Sequence, residues 1–244
     1  TLQAPSIWPF LQYANNRDLR KQLLTAYATR CDHGDAADTK VVLAQTAALR
    51  AERAQLLGYK THADFVLEEN MAKTPDNVYA LLNQLWKPAR AVALQEAAEL
   101  QALMTSTGTA QKLEPWDWRY YAEQVVKARF DLDEQAVRPY FQLDNVREGA
   151  FYVAKQLYWV TVTPRPDLPV YHPEVHAFEV KDADGSSLGV FYTDYHPRAG
   201  KRVGAWSSTI RGTRTKDGTR VTPVVVNVCN FSRPAGDQPA LLSL

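Results

Sequence analysis

The chain has 244 residues, 45% hydrophobic and 23% charged, a balance that supports a real apolar core and excludes disordered, collagen-like and low-complexity classes. Its 28 Lys and Arg nearly cancel its 27 Asp and Glu, so the overall field favours neither a polyanion nor an acidic surface, and any steering is local. No run reaches the roughly 18 apolar residues of a membrane span, and no basic stretch leads into an apolar one at the start, so neither a span nor a retained signal peptide is expected.

Residues 17–107 carry helical patterning. From Asp38 to Leu57, Val41, Ala44, Ala48 and Ala51 share a stripe, with Val42, Leu49 and Leu56 at heptad spacing beside it. Gly58 stands where a left-handed cap belongs. The next start signal is Thr74 as N-cap, Pro75 at the first helical position and Asp76 in the positive first turn. Val78, Leu81, Leu82, Leu85, Val92 and Leu103 continue the apolar face towards Thr107, giving a helix about 45 Å long at roughly 1.5 Å per residue. Pro88 lacks an amide donor and crowds the carbonyl of Gln84, so a kink is expected there. Two shorter helices follow, one from near Glu114-Pro115 to about Phe130 and one from Asp144 to about Tyr158.

From Val170 onward the period changes to alternating β-branched or aromatic and polar residues. Asp184-Gly185 is expected to supply the left-handed conformations of a hairpin between 174–181 and 187–195. Further strands fit Val203 to Ile210 and Pro223 to Cys229, with Lys216-Asp217-Gly218 as a second turn. The expected fold is α+β: a mostly helical body over 1–158 and a small antiparallel β-sheet in the C-terminal third, over 159–244.

Few groups here are candidates for chemistry. His172-Pro173-Glu174-Val175-His176 places two histidines four apart, but Pro173 and the strand pattern imply extended backbone. That separates the rings by roughly 13 Å, too far for two zinc bonds of about 2 Å. His33, His62 and His196 have no sequence-local partner. Cys31 and Cys229 are expected to be reduced, the second as an inert thiol in an apolar strand. Seven basic residues between Arg198 and Arg220 face one acid, Asp217, a solvated hairpin or a surface for a carboxylate ligand rather than a nucleic-acid site. Core packing is expected for the aromatic run Trp116-Asp117-Trp118-Arg119-Tyr120-Tyr121. Asn230-Phe231-Ser232 matches the glycosylation pattern and is assigned no function.

Several segments, taken in order, resemble the thimet-oligopeptidase-like zinc metallopeptidases, and most closely their peptidyl-dipeptidase (dipeptidyl carboxypeptidase) branch. They are Leu57-Gly58-Tyr59-Lys60, Met71-Ala72-Lys73-Thr74-Pro75, Pro115-Trp116-Asp117-Trp118 with Tyr120-Tyr121, and Val170-Tyr171-His172-Pro173-Glu174-Val175. Phe191-Tyr192, Gly204-Ala205-Trp206, Asn227-Val228-Cys229-Asn230-Phe231 and Pro239-Ala240-Leu241-Leu242-Ser243 follow. Glu174 departs from the pattern, where aspartate is expected. The resemblance implies a mostly helical ellipsoid with a deep, narrow channel that admits short peptides, and zinc held by a helical His-Glu-x-x-His that this sequence does not contain.

The chain starts Thr1-Leu2 and stops on an apolar run through Leu244, so it is expected to be an internal piece of such a peptidase, with 1–158 and 159–244 as parts of one larger domain. By resemblance it carries substrate-channel surface, no catalytic residue and no metal ligand. The parent enzyme uses zinc, this piece binds none, and the piece alone is inactive. The expected substrate contacts are Gly204, Ala205, Trp206 and Ser207 on a sheet edge, where a small Gly-Ala step lets backbones approach. Arg198, Lys201 or Arg202 are the candidate cations for a free C-terminal carboxylate. Short peptides and the remainder of the parent peptidase are the expected partners, with no nucleic acid and no membrane, in the cytoplasm in preference to the periplasm. The alternative readings are a non-catalytic helical peptide- or protein-binding module and a nucleic-acid-binding hairpin on a helical scaffold.

Overall fold

Side-chain caps open three of the helices among the described residues, at Asn16, Thr61 and Thr74. The computed structural model describes residues 2–131 and 134–242. Among these the helices run α1 (Ala4–Tyr13), α2 (Arg17–Ala28), α3 (Lys40–Leu56), α4 (His62–Leu67), α5 (Pro75–Ser106), α6 (Pro115–Phe130), α7 (Glu134–Val137) and α8 (Leu143–Tyr158). The strands are β1 (Thr161–Pro164), β2 (Val175–Lys181), β3 (Ser187–Asp194), β4 (Trp206–Arg211), β5 (Arg214–Lys216), β6 (Thr219–Val221) and β7 (Val224–Val228). The chain divides into two compact units: Phe10–Val126, and the residues through Pro9 together with those from Lys127 onward.

In the unit Phe10–Val126, the Thr74 hydroxyl accepts from the Asn77 amide and opens α5, which continues unbroken through Pro88. α3 and α5 end alike. Gly58 (φ 85°) and Gly108 (φ 93°) take the left-handed position, and the amides of Tyr59 and Thr109 reach back to the carbonyls of Ala54 and Met104. This paired closure satisfies carbonyls that the helix leaves open. Leu100 and Met104 of α5 pack with Tyr121 of α6, flanked by Leu103, Leu113 and Val125.

Beside that cluster Asp117 is fully buried. It accepts from Arg17 Nε and Nη2 and from Arg20 Nη2 at 2.7–3.1 Å, and from the Glu114 amide at 3.1 Å. Burial by itself would raise the Asp117 pKa, and the hydrogen bonds from Arg17 and Arg20 overturn it, holding the carboxyl below the usual carboxylate range. The Arg20 guanidinium also lies 4.2 Å from the Tyr120 ring. Within the run at the start of α6, Tyr121 packs in the core as expected, Trp118 is exposed, and Asp117 with its two arginines forms a buried ion pair that the aromatic pattern did not announce.

In the other unit the main sheet has the order β1-β2-β3-β7-β4, and β5 with β6 forms a separate two-stranded ribbon. The α+β class matches expectation, but the sheet is mixed rather than wholly antiparallel, because β3 and β7 run parallel, with Val190 opposite Val224 and Asp194 opposite Val228. The chain leaves β3, lays down β4 and the β5–β6 ribbon, and only then returns between β3 and β4. Gly189 permits the close approach of that return: a Cβ there would meet the Pro223 carbonyl at 2.8 Å. Phe151 of α8 meets Phe178 and Phe191 edge-on at 5.2 and 6.5 Å, so α8 covers one face of the sheet.

The two expected hairpins differ in detail. At 216–219, Asp217 (φ 51°) and Gly218 (φ 75°) are both left-handed, the two-residue turn that matches strand twist. At 182–186 only Gly185 takes positive φ. The Gly185 amide donates to the Asp182 carbonyl and the Asp182 amide to the Ser186 carbonyl, a longer loop than the dipeptide implied.

Candidate functional site

β4 is an edge strand. On one side it pairs antiparallel with β7, with Trp206 opposite Val228, Ser207 opposite Asn227 and Thr209 opposite Val225. Among the described residues no strand pairs with its other side, and all six of its residues are exposed. Alternate residues of such an edge direct amide and carbonyl outward, a ready template for an extended chain. Trp206 and Ser207 lie on the strand, whereas Gly204 and Ala205 lie just ahead of it. Gly204 has φ 101° and its hypothetical Cβ meets no atom within 4 Å. Glycine is needed here for its left-handed backbone; within this chain it relieves no crowding.

Arg198 and Lys201 converge on a residue that the charge pattern had not singled out. Asp194, at the end of β3, is 2% exposed. Arg198 donates to its two oxygens at 2.7 and 2.8 Å, and the Tyr171 hydroxyl donates to Oδ2 at 2.9 Å. The Lys201 ammonium donates to Asp194 Oδ1, to the Asp194 carbonyl and to the His196 carbonyl, so its three protons are all occupied. Its side chain is 4% exposed. Burial pushes the Asp194 carboxyl up, but the hydrogen bonds from Arg198, Lys201 and Tyr171 outweigh it and hold the carboxyl far below its ordinary value. The same burial, with the Asp194 charge, pushes Tyr171 up to about 12.

Arg202 is different. Its side chain is exposed and makes no hydrogen bond or ion pair among the described residues, while its carbonyl accepts from Asn230 Nδ2 at 2.9 Å. The same Nδ2 donates to the Gly204 carbonyl at 2.7 Å. The amide of the apparent glycosylation pattern is thus engaged within the fold.

Residues 10–244 match peptidase family M3. The chain belongs to that family. It is 38% identical over 235 residues to a dipeptidyl carboxypeptidase of Salmonella typhimurium, covering 96% of this chain and 34% of that protein. It is 38% identical over 248 residues to oligopeptidase A of the same organism, covering 100% and 36%. An organellar oligopeptidase A of Arabidopsis thaliana is 34% identical over 251 residues, covering 100% and 32%. The M3 chain therefore spans about a third of the length of the curated relatives it matches.

Among the described residues, the histidines of this M3 chain are not grouped with two further His, Cys, Asp or Glu side chains. The segment before β2 is a tight turn, the Val175 amide donating to the His172 carbonyl, so the extended backbone expected from Pro173 begins only at Val175. His172 Nδ1 accepts from the Glu174 amide at 3.2 Å, and Glu174 is gripped by Arg233 at 2.7 and 2.9 Å. Arg233 holds the Glu174 carboxyl below its ordinary value. A zinc ion needs about three protein ligands. Among the described residues no three His, Cys, Asp or Glu side chains are grouped to hold a metal; His172 Nδ1 takes a backbone amide and the Glu174 carboxylate takes Arg233. His176 and His196 instead line, with Glu174, Arg147 and Asp144, a cleft of about 230 Å³ at the start of α8. Both cysteines are free; Cys229 is buried, which pushes its thiol up and keeps it protonated at neutral pH.

Proposed function

We propose that this chain is part of a longer zinc-dependent peptidyl-dipeptidase that releases C-terminal dipeptides from short peptides. In that reading the chain supplies substrate-channel surface, and residues elsewhere in the longer protein hold the metal. The observation that carries it is the unpaired edge of β4, whose residues are exposed, in a chain of a peptidase family. An extended peptide adds to such an edge through main-chain hydrogen bonds, and its alternate side chains are read by flanking pockets.

Gly204, Ala205, Trp206 and Ser207 then line the peptide, and the half-exposed Trp206 ring walls one pocket. Arg202 is the cation available to a free carboxylate. Arg198 and Lys201 contribute by binding Asp194 rather than substrate. We place the longer protein in the cytoplasm in preference to the periplasm.

Metal analysis and a peptide-cleavage assay on the isolated chain and on the full-length protein test this. The full-length protein is expected to hold stoichiometric zinc and to release dipeptides in a chelator-sensitive way, and the isolated chain to do neither. Turnover by the isolated chain overturns the division of labour; an inert, metal-free full-length protein overturns the activity.

A further inference from the structure

We propose that Asp194 and Asn230 are positioning residues for peptide binding: together they fix the path of residues 198–204 and so hold the approach to β4 ready for an extended chain. The inference rests on the proposed role of β4 and concerns how its lead-in is held. β3 and β7 are parallel neighbours with Asp194 opposite Val228. Asp194 and Asn230 therefore emerge from the same end of the sheet, one before and one after the excursion that builds β4.

From that end the segment must leave β3 and reach β4 on the far side of β7. Its first half is tied to Asp194 through Arg198 and Lys201. Its second half is tied to Asn230 through the carbonyls of Arg202 and Gly204. The two anchors are themselves joined, since the Cys229 amide donates to the Asp194 carbonyl at 2.8 Å and the Phe231 amide to the Tyr195 carbonyl at 2.7 Å. Gly204 sits at the exit of this double tether, two residues before Trp206.

A lead-in held this way meets its peptide without first being ordered, which lowers the cost of binding. A residue that only stabilised the fold would lower melting temperature and leave the kinetics of the folded enzyme alone. A positioning residue acts on substrate affinity while the protein is folded.

The test uses the full-length protein and an internally quenched short peptide. Asn230→Asp keeps the shape but removes the donating nitrogen and sets a charged oxygen against two carbonyls. Asp194→Asn keeps the shape and removes the charge. Each variant, assayed below its melting temperature, is expected to raise KM about tenfold with kcat changed less than about twofold, and Asp194→Glu is expected to recover part of the loss.

Hydrogen exchange on the wild type supplies a reading that needs no variant. The Lys201 amide, which donates to the Arg198 carbonyl at 3.2 Å, is expected to be protected without peptide and to change little when a short peptide with a reduced scissile bond is added. Unchanged KM in folded variants, or a Lys201 amide that becomes protected only with peptide, overturns the inference while leaving peptidase function intact. A wild-type enzyme that turns over no peptide overturns the reading of β4 itself, and the positioning role with it.

Discussion

Asp117 and Asp194 are buried carboxylates that each hold two cations, and their pH behaviour has one sign. An unfolded aspartate titrates near about 3.9, and both folded carboxyls titrate lower. The unfolded chain therefore binds more protons in acid: the stabilisation is complete above about pH 4 and is lost as pH falls through the folded values. Tyr171 runs the other way. Pushed up to about 12, it favours the folded state below the unfolded tyrosine value near about 10 and loses that contribution as pH rises towards its folded value. Denaturant titrations across pH are expected to show both flanks, and Asp194→Asn should flatten each and cost about 3–5 kcal/mol at neutral pH, because it removes the carboxylate charge that Arg198 and Lys201 bind. A variant with wild-type midpoint would remove Asp194 from the structural argument. Sequence spacing already hinted at this cluster, since Asp194 stands four residues before Arg198 and seven before Lys201. A charge count that begins at Arg198 leaves it out, and no sequence pattern reveals that the end of β3 is buried.

At the scale of elements, local signals hold at caps and at one of the two turns, where one side chain or one backbone angle decides the outcome, and fail at Asp184-Gly185, where only Gly185 is left-handed. Thr74, Pro75 and Asp76 start α5, Gly58 and Gly108 stop α3 and α5, and Asp217-Gly218 turns the β5–β6 ribbon. Thr74→Ala is accordingly expected to cost about 1 kcal/mol by loss of the bond to the Asn77 amide. Pro88→Ala should do the reverse and stabilise by about 1–3 kcal/mol, restoring a helix hydrogen bond at an exposed position; thermal melts of both variants check the opposed signs. Partnership between strands was not legible. Period-two alternation marks β3 and β7 as strands but carries no information on which neighbours they take or in which direction, so the parallel pairing was missed. The short β1 and the short helix α1, which carries Pro9 within it, offer too few periodic residues to register. The edge position of β4 was anticipated from resemblance rather than from its residues, whose polarity is equally that of any solvated strand.

The largest scale concerns surface that the chain leaves open. On α5, Leu81, Leu82, Leu85 and Trp86 are each more than half exposed, and so are Tyr152, Val153, Leu157 and Tyr158 on α8. On each helix taken by itself, exposed apolar residues at helical spacing are the kind of surface that meets other protein, and the curated relatives are about three times as long as this chain. If the remainder of a longer peptidase covers the α5 face, one substitution has opposite consequences in two contexts. Leu82→Glu and Leu85→Glu should make the isolated chain less prone to self-association and dim the fluorescence of an apolar dye, because a charge replaces exposed hydrocarbon. In the full-length protein the same changes would place a carboxylate in a packed interface without a partner, at a cost of several kcal/mol (roughly 2–7 for an unpaired polar group), and melting temperature should fall. Sedimentation and dye binding on the isolated chain, with thermal melts on the full-length protein, read both arms. Substitutions that are neutral in the full-length protein would show that this face remains in solvent there, and the apolar stripe of α5 would then need a separate partner.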